Sequence, residues 1–91
     1  MTYNYGSPIT GTLTGTTLEV LVPNLIYPAT IVLNSSDETR TIQFSLDNGV
    51  SYYGAVTPTG TATGQIYYVL TFPVTTIKFT GVANDTYSII Y

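Results

Sequence analysis

Five carboxylates, two cations and nine tyrosines are the side chains with which this 91-residue chain could do chemistry. The acids are Glu19, Asp37, Glu38, Asp47 and Asp85, the cations Arg40 and Lys78, and there is neither histidine nor cysteine. A Ser-His-Asp relay, a Cys-His pair and a conventional zinc site are therefore excluded outright. Residue type alone leaves room for a glycosidase pair of carboxylates. Asp37 and Glu38, however, stand in the polar run 34–40, which reads as a solvated turn, and Glu19 points outward between Leu18 and Val20. The expectation is a non-enzymatic chain that uses no cofactor.

The stretch Ser45-Leu46-Asp47-Asn48-Gly49-Val50-Ser51-Tyr52-Tyr53 raises two further chemistries. As a calcium loop it falls short, because such a loop needs several alternating oxygen ligands and a distant glutamate, and residues 51–55 hold no carboxylate. No metal is expected. As a hairpin it fits well: Asn48 and Gly49 tolerate the positive φ that both central residues of a type I′ turn require. A two-residue turn pairs Phe44 with Tyr53, placing Tyr53 in the core and Tyr52 on the outer face. A three-residue Asp47-Asn48-Gly49 loop with a bulge would bring Tyr52 opposite Phe44 instead.

Tyrosine combines an apolar ring with a polar tip, which suits a sugar platform or a protein interface. Adjacent tyrosines on a strand point to opposite faces, so each of the pairs 52–53 and 67–68 offers one ring to the core and one to the outside. Tyr3, Tyr5, Tyr52, Tyr67 and Tyr91 are the candidate contact residues.

The elements that must carry these groups are strands. Runs of Val, Ile, Thr, Tyr and Phe alternate with Gly, Pro, Asn and Asp clusters, and no amphipathic helix emerges. Strands are expected near 9–14, 17–22, 29–34, 40–46, 50–56, 65–72, 75–80 and 86–91. In the clearest of them, Ile42, Phe44 and Leu46 face the core while Gln43 and Ser45 face out. Ile77 and Phe79 likewise point inward and Lys78 outward. Pro23, Pro28, Pro58 and Pro73 punctuate, since proline cannot donate to a central ladder. About eight short strands predict an all-β, antiparallel two-sheet sandwich, immunoglobulin-like or jelly-roll-like, as a single domain over 1–91. Residues 1–8 fit an extended N-terminal arm. The Thr/Gly run 57–64 reads as a long loop. Segments 66–70 and 87–91 break alternation with large apolar groups on both faces, which predicts a second cover for them, from a loop, a strand or another subunit.

Charged residues make up only 8% of the chain, against about 25% in ordinary domains. So uncharged a surface lacks the repulsion that keeps proteins apart, and part of it is expected to meet a partner. Two cations and a net charge of −3 are too little to neutralise phosphates, which argues against nucleic acid. No run of about 20 apolar residues would span a membrane. The residues following Met1 carry no basic region or apolar core of a secretory signal, so synthesis in a cytoplasm is expected, in keeping with the absence of cysteine. On that basis the glycosylation triplets at Asn34 and Asn84 read as polar turns.

The segment 41–53, followed by Ile77-Lys78-Phe79-Thr80-Gly81 and Asp85-Thr86-Tyr87-Ser88-Ile89, resembles small β-sandwich modules of tailed-bacteriophage virion proteins, in which a strand, an Asp/Asn-Gly turn and an aromatic near the next strand recur. The likeness spans the second half of the chain and is a pattern shared with many immunoglobulin-like domains. It implies a capsid decoration, or cement, protein: made in the host cytoplasm, seated on the capsid surface of the virion, bound to the major capsid protein and present as a homo-oligomer. No capsid-binding motif is recognisable, so no contact residue carries over. A carbohydrate- or receptor-binding module of a phage head or tail fibre is the alternative, and a free-standing cytoplasmic adaptor a third.

Overall fold

The computed structural model describes residues 8–22, 25, 28–35, 40–56 and 64–91. They form β1 (Ile9–Thr12), β2 (Thr17–Leu21), β3 (Ala29–Ser35), β4 (Thr41–Ser45), β5 (Tyr53–Val56), β6 (Gly64–Leu70), β7 (Thr76–Thr80) and β8 (Thr86–Ile90), with no helix among the described residues. The expected eight strands are all present, most of them a residue or two shorter. The expected arm at 1–8 lies, but for Pro8, outside the described residues, as do Tyr3, Tyr5, Pro23, Pro58 and the Thr/Gly run up to residue 63.

The protein is all-β, with two antiparallel four-stranded sheets in the orders β1-β8-β3-β6 and β2-β7-β4-β5. Only β4 and β5 are both consecutive in sequence and neighbours in a sheet; every other connection crosses from one sheet to the other. That connectivity is a jelly roll. An immunoglobulin sandwich would pair several consecutive strands within its sheets.

The two-residue period places the core. Along β3, Ala29, Ile31, Leu33 and Ser35 are buried while Thr30, Val32 and Asn34 are half-buried. Ile42 and Phe44 of β4, Ile66 and Leu70 of β6, Ile77 and Phe79 of β7 and Tyr87 and Ile89 of β8 join them in the interior, with Leu13, Val22 and Val74 from the connections. Phe79 stacks on Tyr87 across the two sheets, with ring centroids 4.7 Å apart and planes 19° from parallel. Phe44 lies 5.0 Å from the Tyr68 ring and 6.1 Å from that of Phe72, so β6 and the chain just beyond it close the core over β4.

Four expectations need correction. Ser45 lies on the outer side of β4, as alternation demands, yet it is fully buried, because the chain leaving β4 folds back over it. Leu46, assigned to the core, is 55% exposed: β4 ends at Ser45, and the period ends with it. Tyr53 does pair with Phe44, as the two-residue turn predicts, but it is 55% exposed. It stands on an edge strand whose register shifts beyond that pair, with Gly54 at φ 61, so it is not carried over the core. Arg40, expected in a solvated turn, is buried; Asp37 and Glu38 lie outside the described residues.

Candidate functional site

The two outer faces of the sandwich differ in chemistry. On the sheet β2-β7-β4-β5, cross-strand pairing lines up Glu19, Lys78 and Gln43 in one row. The loop 46–52 folds over this face. Its anchor is Ser45, whose hydroxyl donates to Asp47 Oδ1 at 2.7 Å and accepts from the backbone N–H groups of Gly49, at 2.8 Å, and Asp47, at 3.2 Å. Asp47 Oδ1 also accepts from the Ser51 N–H at 2.9 Å. The hydrogen bonds from Ser45 and then Ser51 hold the Asp47 carboxyl below its ordinary range, although it is exposed. On the other side, the Asn48 N–H donates to Thr75 Oγ1 at 2.8 Å, and Thr75 returns two donors to the Ser45 carbonyl.

Within this scaffold Asn48 (φ 60) and Gly49 (φ 90) occupy the left-handed region, and the Val50 N–H closes the turn on the Asp47 carbonyl at 3.4 Å. These are the features of a two-residue turn of type I′. Its purpose here is to lay Tyr52 on the sheet. The Lys78 ammonium sits 5.2 Å from the centre of the Tyr52 ring, a cation–π contact, and a side chain at Gly49 would touch the Tyr52 hydroxyl. That hydroxyl is buried and has no partner in good hydrogen-bond geometry. Burial, then the acceptor contact and charge of Glu19, and then the charge of Asp47 push the phenol up to about 12. The Glu19 contact thus acts electrostatically while its geometry falls short of a full hydrogen bond.

A titration should reveal this. The folded-state value stands above the ordinary one near 10, so the stability tied to the protonated, enclosed phenol is complete below about pH 10 and is lost as pH rises towards 12. Phenolate absorbance should show a tyrosine ionising near 12, and this component should disappear in Tyr52→Phe. Loss in that variant of a phenol ionising near the ordinary value of about 10, instead of one near 12, would show that the phenol is not enclosed.

The outer face of β1-β8-β3-β6 is different. Its rows read Thr12, Thr86, Asn34 and Gln65; then Thr10, Ser88, Val32 and Tyr67; then Ile90, Thr30 and Val69. None of these residues is charged. The charged side chains of the described residues all lie elsewhere: Glu19 and Lys78 on the other sheet, Asp47 in the loop, Arg40 and Asp85 buried. Tyr67, 68% exposed, and Val69, 48% exposed, are the exposed large apolar groups on this face, with Val32 and Ile90 half-buried beside them, and Asn34 Nδ2 donates to Thr86 Oγ1 across it at 3.3 Å. No family model, characterised protein or solved structure matches the chain.

The candidate tyrosines therefore do not form one platform. Tyr67 is free on one outer face, Tyr52 is clamped on the other, and Tyr91 is half-buried against the core. Tyr3 and Tyr5 lie outside the described residues. No group of three or more acidic, His or Cys side chains among the described residues could hold a metal ion. Sequence reasoning passed over two polar anchors. One is Ser45 beneath the loop. The other is Asp85, whose buried carboxylate accepts from Ser35 Oγ at the end of β3 and from the Val82 N–H at 2.7 Å. The chain offered one signal for each: a small hydroxyl two residues before Asp47, and an Asp directly after a turn asparagine.

Proposed function

We propose that this protein is a non-enzymatic virion component, a decoration or cement protein that seats the uncharged outer face of β1-β8-β3-β6 on the assembled head of a tailed bacteriophage, as a homo-oligomer. The observation that carries this reading is the segregation of charge. A chain with only seven charged side chains keeps all those described off one whole sheet face, and leaves there a mixture of Thr, Ser, Asn, Val and Tyr that can hydrogen-bond and pack without desolvating an ion. The jelly roll recurs in viral capsid proteins, but also in lectins and cupins, so it supports the reading by analogy only. The likeness of the second half of the chain to phage virion modules points the same way.

Contacts of this kind are mainly apolar and hydrogen-bonded, and screening weakens exposed charge pairs far more. Purified protein added to undecorated capsids should raise their rupture temperature and remain bound in about 0.5 M salt, well above physiological strength. Val32→Lys, which places a charge in the middle of the face, should abolish binding, whereas Glu19→Gln on the opposite sheet should not. Release by salt, or equal loss in both variants, would refute attachment through this face. The exposed ring of Tyr67 favours a second reading, a glycan- or receptor-binding module, because a solvent-facing tyrosine can stack on a sugar. Binding of the isolated protein to host cells or glycans, lost in Tyr67→Ala and without effect on capsids, would favour it.

A further inference from the structure

A two-sheet sandwich has four edge strands, here β1, β6, β2 and β5. Each edge offers unpaired backbone N–H and C=O groups to another chain, and natural sheets blunt such edges by shortness, charge, proline or bulges. Three of the four are blunted. β1 has four residues, β2 carries Glu19, and β5 has four residues with a register shift and a positive φ at Gly54. The fourth is not. β6 has seven residues, Gly-Gln-Ile-Tyr-Tyr-Val-Leu, with neither charge nor proline; its positive φ stands at its first residue, Gly64, and it pairs with β3 without interruption from Gly64 to Leu70. No described strand pairs with its other side.

We infer that β6 is the self-association edge: two copies join β6 to β6, antiparallel, about a two-fold axis at Tyr67, into one continuous eight-stranded sheet. Parity selects this register. Buried Ile66 and Leu70 alternate with exposed Gln65, Tyr67 and Val69, so a two-fold through a residue sets inner groups against inner groups, while a two-fold between residues sets inner against outer. Among the allowed axes, the one at Tyr67 pairs the whole strand. Tyr67 then faces its own copy, Ile66 faces Tyr68, Gln65 faces Val69 and Gly64 faces Leu70. The contact is isologous and closed, so it ends at two copies. Aromatic and aliphatic neighbours on the outer side bury Tyr67 and Val69, both exposed in one chain. The inference specifies the edge and register of the proposed self-association but needs no particle for its test.

The chain has no cysteine, so Tyr67→Cys introduces a single thiol. Directly opposed residues of an antiparallel pair have Cα atoms about 4.5–5.5 Å apart, within the span of a disulfide. Mild oxidation should cross-link Tyr67→Cys into a covalent dimer, while Thr10→Cys on β1 and Thr17→Cys on β2 form no cross-link. In sedimentation, the unmodified protein should be a dimer. Tyr67→Lys, which sets like charges face to face on the axis, should weaken it by at least ~10-fold without changing its circular dichroism. A monomeric unmodified protein, cross-linking as ready through residue 10 or 17 as through 67, or a dimer untouched by Tyr67→Lys would each overturn the inference; if Tyr67→Lys does not fold, the cross-linking result decides. A dimer that binds no capsid leaves the pairing intact and refutes the attachment proposed above, and a monomer that binds capsids does the reverse.

Discussion

Phe44→Ala should destabilise the fold by about 3–5 kcal/mol. The ring is buried and packed between Tyr68 and Phe72, which close the core from the far sheet, and its removal leaves a cavity that strands β4 and β6 cannot collapse to fill. For a domain of this size, total stability is on the order of 5–14 kcal/mol, so the loss takes a large share of it. Thermal unfolding should fall by more than ~10 °C. The adjacent Gln43→Ala, on the outer side of the same strand beside Lys78, should cost less than ~1 kcal/mol. Denaturant titrations of the two variants test the facing of β4 directly, and equal losses would overturn it.

Asp85→Ala should cost about 2–4 kcal/mol, far more than an ordinary turn aspartate. Its carboxylate is buried and satisfies two donors, Ser35 Oγ and the Val82 N–H, which lose their acceptor when it is removed. The backbone around it is tied as well: the Leu13 N–H donates to the Asp85 carbonyl and the Asn84 N–H to the Leu13 carbonyl, both at 2.8 Å. One turn therefore joins the ends of β1, β3 and β8. Asp85→Asn should recover part of the loss, because both donors share one carboxylate oxygen, Oδ2, and the amide carbonyl can take its place as acceptor, while the new NH2 group replaces the other oxygen and the charge is lost. Equal stability of Asp85→Ala and the unmodified protein would show that the turn is not held from within.

The period-two patterns of 29–35, 41–45 and 76–80 determined strands, inward faces and a two-sheet sandwich, because side-chain direction on a strand is a local property of the pleat. The Asn48-Gly49 turn was legible for the same reason, since positive φ is a constraint on single residues. Both the strand order and the choice between an immunoglobulin-like and a jelly-roll sandwich came from tertiary structure: sheet crossings join residues far apart in the chain, and no local pattern records them. So did the burial of Ser45 and the exposure of Leu46 and Tyr53, which depend on a loop folding back and on β5 lying at an edge. The low charge of the chain was visible in its composition; that its described charges avoid one entire face was not, because which strands share a face is set by their long-range pairing alone.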